Sequence, residues 1–277
     1  MARSAASYSP KPHARSHRPL ALVTGASSGI GYELARQLAQ HGHDLLIASD
    51  HEGNLREAAQ GLVNATGAEV GTVTCDLSTR LGVEQLYQAA REAGPVDILC
   101  CNAGAGVYGD FVETDLETEL RIIQLNAASV VHLTKLMLPE MLARHRGRIL
   151  ITASTDSTTP DPYLVVYAAT KAFVLSFAEA IRHSLQDTGI TVTALLPGPT
   201  DTNFFNRAGM QRSKVNESAK SDPAEVARAA YRALMRGDDH TIVGWKNKAQ
   251  VAMQSVLSDP VKAALTADAT RPKRRPA

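Results

Sequence analysis

The chain has few cysteines, almost no net charge and no long hydrophobic run. No unbroken apolar segment reaches the roughly 18 residues that a membrane-spanning helix needs, so no transmembrane segment is predicted. The 29 Lys and Arg residues nearly balance the 28 Asp and Glu residues, whereas a chain that binds nucleic acid over much of its surface is usually more basic. A nucleic-acid partner is therefore not expected.

The three cysteines are Cys75, Cys100 and Cys101. The adjacent pair cannot form an unstrained disulfide, and an odd number suits a reducing compartment. Neither a second cysteine pair nor a nearby histidine completes a zinc pattern. We therefore expect three buried thiols and no metal site.

Basic residues are concentrated at both ends of the chain. Residues 1–18 contain four basic side chains and no acid, and so do residues 271–277; without these eight, 21 basic residues face 28 acidic ones. We interpret 1–18 as a disordered basic tail. A transit peptide is the alternative, but Pro10, Pro12 and Pro19 disrupt the amphipathic helix it would need, and no secretory apolar core is present. We predict a cytoplasmic protein.

Short β-rich runs alternate with helical patterns along most of the chain. The predicted strands are 20–24, 44–48, 70–74, 96–101, 148–152, 190–196 and 240–243. Strands separated by helices require crossover connections and pair in parallel. The sequence thus predicts an α/β class fold: a Rossmann-like, doubly wound parallel sheet of about seven strands with helices on both faces. We assign 19–250 to this single domain and 251–277 to a C-terminal helix and a basic tail.

A glycine-rich turn, Thr24 to Gly31, joins the first strand to the first helix. Gly25 suits the tight turn, Gly29 lets the backbone approach a pyrophosphate, and Gly31 lets the helix pack close to the sheet. A pyrophosphate would lie at the helix N-terminus, where N–H groups point outward. The turn, with Ser27, Ser28 and Ile30, is a candidate dinucleotide site; a turn without a ligand is the alternative.

Asp50 lies 19 residues after Gly31, just past the second strand. Its carboxylate can accept hydrogen bonds from both ribose hydroxyls and would repel a 2′-phosphate. Since no Lys or Arg occupies 44–54, we expect NAD as the cofactor, with NADP possible. The alternative is that Asp50 merely caps the next helix.

These motifs, with those that follow, resemble the short-chain dehydrogenase/reductase family in its single-domain form. Tyr167 and Lys171 form Tyr-x-x-x-Lys on one helix face, Ser154 stands thirteen residues earlier, and Asn126 lies in the preceding long helix. Further matches that the resemblance assigns to cofactor binding are Asp76, Leu77, Asn102, Ala103, Gly104, Pro197, Gly198, Thr200 and Thr202. One departure is Cys101, where the family has Asn.

The resemblance implies hydride transfer between a nicotinamide and a secondary alcohol or ketone. Tyr167 would be the general acid/base, with its pKa lowered by Lys171, which would also bind the nicotinamide ribose. Ser154 would hydrogen-bond the carbonyl, and Asn126 would hold a water linked to Lys171. Alternatives are an NADPH-preferring carbonyl reductase, a catalytically silent dinucleotide-binding regulator and, less compatible with Tyr-x-x-x-Lys, a methyltransferase.

The resemblance also implies a homodimer or homotetramer formed through the long helices 115–144 and 163–186. Phe204, Phe205 and Met210 are candidates for an apolar substrate pocket, with Gly209 as a hinge, or they simply pack against the body. Residues 163–165 (Tyr, Leu, Val) would form the opposite wall. We expect an apolar alcohol or ketone, with a polyol or sugar as the competing class. Residues 249–265 read as one amphipathic helix that covers the site, pairs with a partner subunit or touches a membrane.

Overall fold

A computed structural model describes residues 18–211, 213, 220–254 and 257–270 of the chain. Seven parallel strands form one sheet in the order β3-β2-β1-β4-β5-β6-β7. The strands are β1 (Leu20–Thr24), β2 (Asp44–Ser49), β3 (Val70–Thr74), β4 (Val96–Cys101), β5 (Gly147–Thr152), β6 (Ile190–Leu196) and β7 (His240–Ile242). The predicted α/β doubly wound fold is confirmed. The strand order reverses beside β1 and β4, and ligands of such sheets bind at the carboxyl ends of the strands next to this reversal.

Helices connect the strands. They are α1 (Gly29–Gln40), α2 (Glu52–Thr66), α3 (Arg80–Ala93), α4 (Leu116–Ile123), α5 (Ser129–Ala143), α6 (Val165–Ser184), α7 (Phe204–Arg207), α8 (Pro223–Arg236), α9 (Trp245–Gln254) and α10 (Asp259–Thr270). The predicted helix 115–144 corresponds to α4 and α5, joined by a π-helical turn at Gln124–Ala128. Asp222 is the N-cap residue of α8, and its side chain accepts a hydrogen bond from the Ala224 N–H.

The core consists of one apolar layer on each face of the sheet. On one face, α1, α2 and α8 bury side chains such as Leu34, Leu55 and Val226. On the other face, α3, α5 and α6 bury side chains such as Leu86 and Leu133. Because both faces are covered, the inner strands carry nearly continuous apolar residues, and all six residues of β2 are buried.

All three cysteines are buried and unbridged, as predicted. Cys100 and Cys101 are successive residues of β4, so they point to opposite faces and belong to different apolar layers. Burial raises the pKa of Cys101, and that of Cys75, to about 12, and it raises the pKa of Cys100 as well. These thiols serve packing rather than chemistry in the folded protein.

The prediction of a single helix over 249–265 is wrong, because α9 and α10 are separate. Pro260 sits in the first turn of α10, where its missing N–H is tolerated, but a proline inside one continuous helix would break the hydrogen-bond ladder. The expected apolar stripe is also incomplete: Val261 and Leu265 are exposed, and Val256 lies outside the described residues. Of the tail predicted at 1–18, residues 1–17 lie outside them too, and so do residues 271–277.

None of the helices described is long and apolar enough to cross a membrane. Across the same residues, His, Cys, Asp and Glu side chains form no group of three or more that is placed to hold a metal ion.

Candidate active site

A cavity of about 770 Å³ lies at the carboxyl ends of the central strands. It is lined by every predicted catalytic and cofactor-binding residue except Asn126. The fold therefore brings the glycine-rich turn, Asp50 and the Ser–Tyr–Lys set together from four separate parts of the chain.

The glycine-rich turn has the geometry that its sequence predicts. Gly25 and Gly29 adopt positive φ angles of +66° and +58°, which side-chain-bearing residues rarely adopt. At Gly31, a Cβ would collide with the carbonyl oxygen of Gly25 and lie 2.5 Å from Asn102 Nδ2. The absent side chains therefore leave α1 packed directly against the end of the sheet.

The start of α1 is suited to an anion. Its N-cap residue, Ser28, makes no side-chain capping hydrogen bond, so the first N–H groups of the helix face the cavity without a side-chain partner at that position. Helix N-termini carry a partial positive charge and bind phosphate groups well. Together with the space left by Gly29 and Gly31, this cradle fits a dinucleotide pyrophosphate.

Asp50 lines the cavity next to this turn. The Ser49 hydroxyl lies 3.0 Å from Ser27 Oγ and 3.4 Å from Asp50 Oδ1, linking the strand end to the turn. Asp50 does not cap α2: that position belongs to His51, whose ring nitrogen accepts a hydrogen bond from the Asn54 N–H. The capping alternative is therefore excluded, and the carboxylate of Asp50 is available to the cavity.

Asp76 and Leu77 form the wall after β3. Partial burial alone would raise the pKa of Asp76, but hydrogen bonds from the Ser78 hydroxyl (2.6 Å) and N–H (2.9 Å) lower it, as does the nearby Arg121. Arg121 donates to Asp76 Oδ2 over 3.1 Å. Asp76 is thus held ionised, while Leu77 is buried.

Asn102 ties three strands together beneath the cavity. Its N–H donates to Thr24 Oγ1 (2.9 Å), its Nδ2 donates to the Thr24 carbonyl (3.1 Å), and its Oδ1 accepts from Thr152 Oγ1 (3.3 Å). Cys101, the departure from the family pattern, points to the opposite face and packs in the apolar layer there. Cys101 does not line the cavity, so the departure lies outside the cavity wall.

Ser154 follows β5 and begins a short 3-10 turn, Thr155–Thr158. Its hydroxyl accepts a hydrogen bond from the Asp156 N–H (3.1 Å), and its own N–H donates to Ser157 Oγ (3.0 Å). These two bonds fix the Ser154 hydroxyl at the cavity wall.

Tyr167 and Lys171 lie one turn apart on α6. The Lys171 Nζ donates to the Thr152 carbonyl over 2.8 Å and lies 5.8 Å from the centroid of the Tyr167 ring. Burial lowers the pKa of Lys171 to about 8. Burial, and then the charge of Asp156, raise the pKa of Tyr167, while hydrogen bonding to Ser154 acts against both. In the protein alone, Tyr167 is thus a proton donor; it becomes a base only when a positive charge is added beside it.

Asn126 does not reach the cavity surface. It lies in the π-helical turn, is 1% exposed, and uses its side chain to bind Ala105: Nδ2 donates to the carbonyl (2.8 Å) and Oδ1 accepts from the N–H (3.0 Å). Nδ2 also lies 3.1 Å from Thr170 Oγ1. A Cβ on Gly104 would lie 3.3 Å from both Asn126 Oδ1 and Lys171 Nζ. Asn126 therefore supports the wall behind Lys171.

The predicted apolar pocket is present, and its opposite wall is only partly as predicted. Phe204, Phe205 and Met210 line the cavity, together with Leu164. Phe204 packs at 5.1 Å, centroid to centroid, against the Tyr167 ring. The neighbours of Leu164 do not line the cavity: Tyr163 packs against Tyr108, and Val165 is 39% exposed at the start of α6. In this turn only one side chain of three can point inward.

Two groups of cavity residues were not named from the sequence. Asp156 and Asp161 line the cavity close to Ser154, and Arg207, Met253, Lys262, Leu265, Thr266 and Thr270 line it as well. The two aspartates carried a signal, since they follow Ser154 within one short polar segment. The last five residues lie on α9 and α10, in agreement with the alternative that the segment after 249 covers the site, but only the tertiary fold shows which of its side chains face the cavity.

A doubly wound sheet with a glycine-rich first turn and a Ser–Tyr–Lys cavity defines a dinucleotide-binding oxidoreductase class. The sequence profile of the short chain dehydrogenase family matches residues 19–213, and the chain belongs to this family. Members of the family are oxidoreductases that act on CH–OH or C=O groups.

Individual proteins show the same likeness. Glycine betaine reductase ATRR of Emericella nidulans is 32% identical over 258 residues, which is 91% of this chain but only 19% of that protein's length. A short-chain dehydrogenase from Sphingobium yanoikuyae, solved with NADPH, has a TM-score of 0.77 and 30% identity, covering 87% of this chain and 96% of that one. A relative from Burkholderia phymatum, solved with NAD, has a TM-score of 0.77 and 26% identity over 85% and 92% of the two chains.

Proposed function

We propose that the protein transfers a hydride between a nicotinamide dinucleotide and a small secondary alcohol or ketone. The observation that carries this proposal is the common cavity shared by the anion-binding start of α1 and the three polar groups of Ser154, Tyr167 and Lys171. The start of α1 would hold the dinucleotide, and the three polar groups would hold the substrate oxygen atom that gains or loses a proton. Apolar side chains of Phe204 and Met210 favour a substrate with apolar bulk.

The division of labour follows from the geometry. The nicotinamide, when bound, supplies or accepts the hydride. Ser154 donates its O–H to the substrate oxygen and fixes its position. In reduction, the Tyr167 phenol gives its proton to that oxygen; in oxidation, the phenolate removes the alcohol proton. The Lys171 ammonium stabilises the phenolate through its charge, and Asn126 is a positioning residue that holds the Ala105 segment against α6.

We further propose that NAD is preferred over NADP, with Asp50 accepting hydrogen bonds from the adenosine ribose. The Ser27–Ser49–Asp50 hydrogen bonds place this carboxylate beside the turn, where it would repel a 2′-phosphate. Relatives of both kinds, with NADPH and with NAD, have the same fold. An NADPH-preferring carbonyl reductase is therefore the second candidate. In that case Arg121, which lines the cavity and pairs with Asp76, is the basic residue that would contact the 2′-phosphate.

The decisive experiment replaces Tyr167 by phenylalanine. The variant keeps the ring that packs on Phe204 and loses only the hydroxyl, so we expect turnover to fall by at least about a thousandfold, in keeping with the loss of a general acid/base, with NADH binding retained. Tyr163→Phe, the same change in a residue that does not line the cavity, is the control. Near-normal turnover in Tyr167→Phe would refute the mechanism, whereas intact NADH binding without turnover in the wild type would indicate a silent regulator.

The assembly and location are proposals as well. We propose a homodimer or homotetramer formed through α4 and α6, because both helices expose large apolar side chains. Leu120 is 46% exposed, and Phe173 is 50% exposed and stacked on Phe177. We also propose that the protein acts in the cytoplasm, where its three free thiols stay reduced, and that residues 19–250 form one folding domain.

A further inference from the structure

We propose that the substrate carries a protonated amine, which the carboxylate of Asp161 binds inside the cavity. This inference rests on the proposed function and narrows its substrate class. It begins with a carboxylate that the proposed mechanism leaves unused.

Asp161 lines the cavity and is only 3% exposed. Its two oxygens differ. Oδ1 accepts hydrogen bonds from the Tyr163 N–H (2.9 Å) and the Thr270 hydroxyl (3.1 Å), which fixes the turn before α6 and the end of α10. Oδ2 is buried and has no hydrogen-bond partner among the described residues. The structural role of Asp161 thus uses one oxygen and leaves the other without a donor.

A buried carboxylate oxygen without a donor is energetically unfavourable. A ligand N–H group that reaches Oδ2 would remove this penalty, and a positively charged donor would do so most effectively. Neither Asp161 nor its neighbour Asp156 forms an ion pair with a basic side chain in the described part of the chain. These two carboxyl groups are therefore at one end of the cavity without a basic partner among the described residues.

Asp156 and Asp161 interact electrostatically. Burial and the proximity of Asp161 raise the pKa of Asp156 to about 6, and burial raises the pKa of Asp161 as well. No basic group contributes to either shift. A bound ammonium group would lower both values and favour the ionised forms.

The acidic end adjoins the reacting groups. The Asp156 N–H donates to the Ser154 hydroxyl, and Asp161 is close enough to Asp156 to raise its pKa, so an ammonium group at Asp161 would lie at the Ser154 end of the cavity. The rings of Tyr167 and Phe204 border the same space, and aromatic faces attract cations. These groups together fit an amino ketone or amino alcohol whose carbon chain packs on Phe204.

An anionic substrate is the competing class, because Arg207 and Lys262 also line the cavity. Neither of them is among the groups that shift the pKa values of Asp156 or Asp161. We therefore favour a cationic substrate group at the end of the cavity next to Ser154, and we include an anionic substrate in the experiment.

The test uses matched pairs of methyl ketones. One member carries a dimethylammonium group separated from the carbonyl by two, three or four methylenes, and the other carries an isopropyl group in its place. Reduction is measured with NADH and with NADPH. For the best chain length, we expect kcat/KM of the amine to exceed that of its isostere by about tenfold or more, as for a charge-assisted hydrogen bond.

Asp161→Asn keeps the accepting Oδ1 and removes the charge, so we expect it to bring the kcat/KM ratio of the pair close to one. Asp187→Asn, on the exposed surface, should leave the ratio at the wild-type value. Melting temperatures of both variants show whether they fold. If Asp161→Asn does not fold, the kcat/KM ratio of the amine to its isostere in the wild type still tests the proposal.

Equal kcat/KM values within every pair, or an unchanged ratio in Asp161→Asn, would overturn the proposal while leaving the oxidoreductase function intact. A higher kcat/KM for levulinate, a methyl ketone that carries a carboxylate, than for both members of the pair would overturn the proposal as well and point to Arg207 and Lys262. If no ketone is reduced, the proposed function fails for this class. Calorimetric titration with the amines then decides: binding that weakens about tenfold in Asp161→Asn supports the amine site, and absent or unchanged binding rejects it.

Discussion

Replacing Lys171 by methionine is expected to abolish turnover and yet to stabilise the protein at pH 7. Lys171 is 4% exposed, and burial lowers its pKa from an ordinary 10.5 to about 8. At about 1.4 kcal/mol for each tenfold change in proton affinity, keeping this ammonium buried at pH 7 destabilises the fold by about 3 kcal/mol. Methionine has a similar shape and carries no charge.

One favourable contact opposes this gain. The Lys171 ammonium donates a hydrogen bond to the Thr152 carbonyl, and its loss would cost about 1 kcal/mol. We therefore expect the free energy of unfolding of Lys171→Met to exceed that of the wild type by about 2 kcal/mol at pH 7.

The pH dependence gives the sharper test. Because the pKa is lower in the folded state, the unfolded chain binds more protons between pH 8 and 10.5, so wild-type stability rises with pH through this window. Below pH 8 both states are protonated and the full penalty remains. The advantage of the variant should thus shrink by about 2 kcal/mol between pH 7 and about pH 9.5.

Urea unfolding of the wild type and the variant at both pH values measures this difference, and other titrating groups cancel in the comparison. Lys135→Met, at an exposed position, is the control and should show little change at either pH. A variant that is less stable than the wild type at pH 7, or an advantage that is independent of pH, would refute the assignment of Lys171 as a buried, strained cation.

Three further outcomes are expected. Asp50→Ala should weaken NADH binding about tenfold and weaken NADPH binding less, as measured by fluorescence titration. An unchanged ratio of the NADH and NADPH dissociation constants would show that Asp50 does not bind the ribose. Glu57→Ala, at an exposed position, is the control. Gly31→Ala should lose about 1–3 kcal/mol of stability, because its Cβ would meet Gly25 and Asn102, whereas Gly53→Ala, with only ordinary contacts, should be neutral or gain about 0.5 kcal/mol in a denaturant titration. Phe173→Glu should reduce the oligomer mass in light scattering, and an unchanged mass would place the interface elsewhere.

The central sheet was accessible to sequence reasoning because burial on both faces leaves a local signal. Strands such as β2 and β6 are short apolar runs, and each is followed by a helix with its own periodicity. The glycine-rich turn was equally predictable, since Gly25 adopts a positive φ angle and Gly31 leaves no room for a Cβ. In both cases the physical constraint acts on residues that are close in the sequence.

The cavity's far wall was not accessible in this way. Asp161 gains its importance from Thr270, which lies 109 positions away and reaches it only through the packing of α10. Pro260 marked the break between α9 and α10, but the spacing of the apolar residues on either side of it was compatible with one continuous amphipathic helix. The contacts of Asn126 with Ala105 and Thr170 were not accessible either, because the direction of its side chain depends on the π-helical turn that carries it.

The labelling rates of the two adjacent cysteines of β4 report the order in which the helical layers detach from the sheet. A thiol reagent attacks the thiolate, so Cys100 and Cys101 are protected in the folded state both by burial and by their raised pKa values. Since one thiol faces each helical layer, equal labelling rates would show that both layers come away in one cooperative event. Faster labelling of Cys101 would show that the α3–α5–α6 layer detaches first, and faster labelling of Cys100 would show the same for the layer that holds the dinucleotide turn.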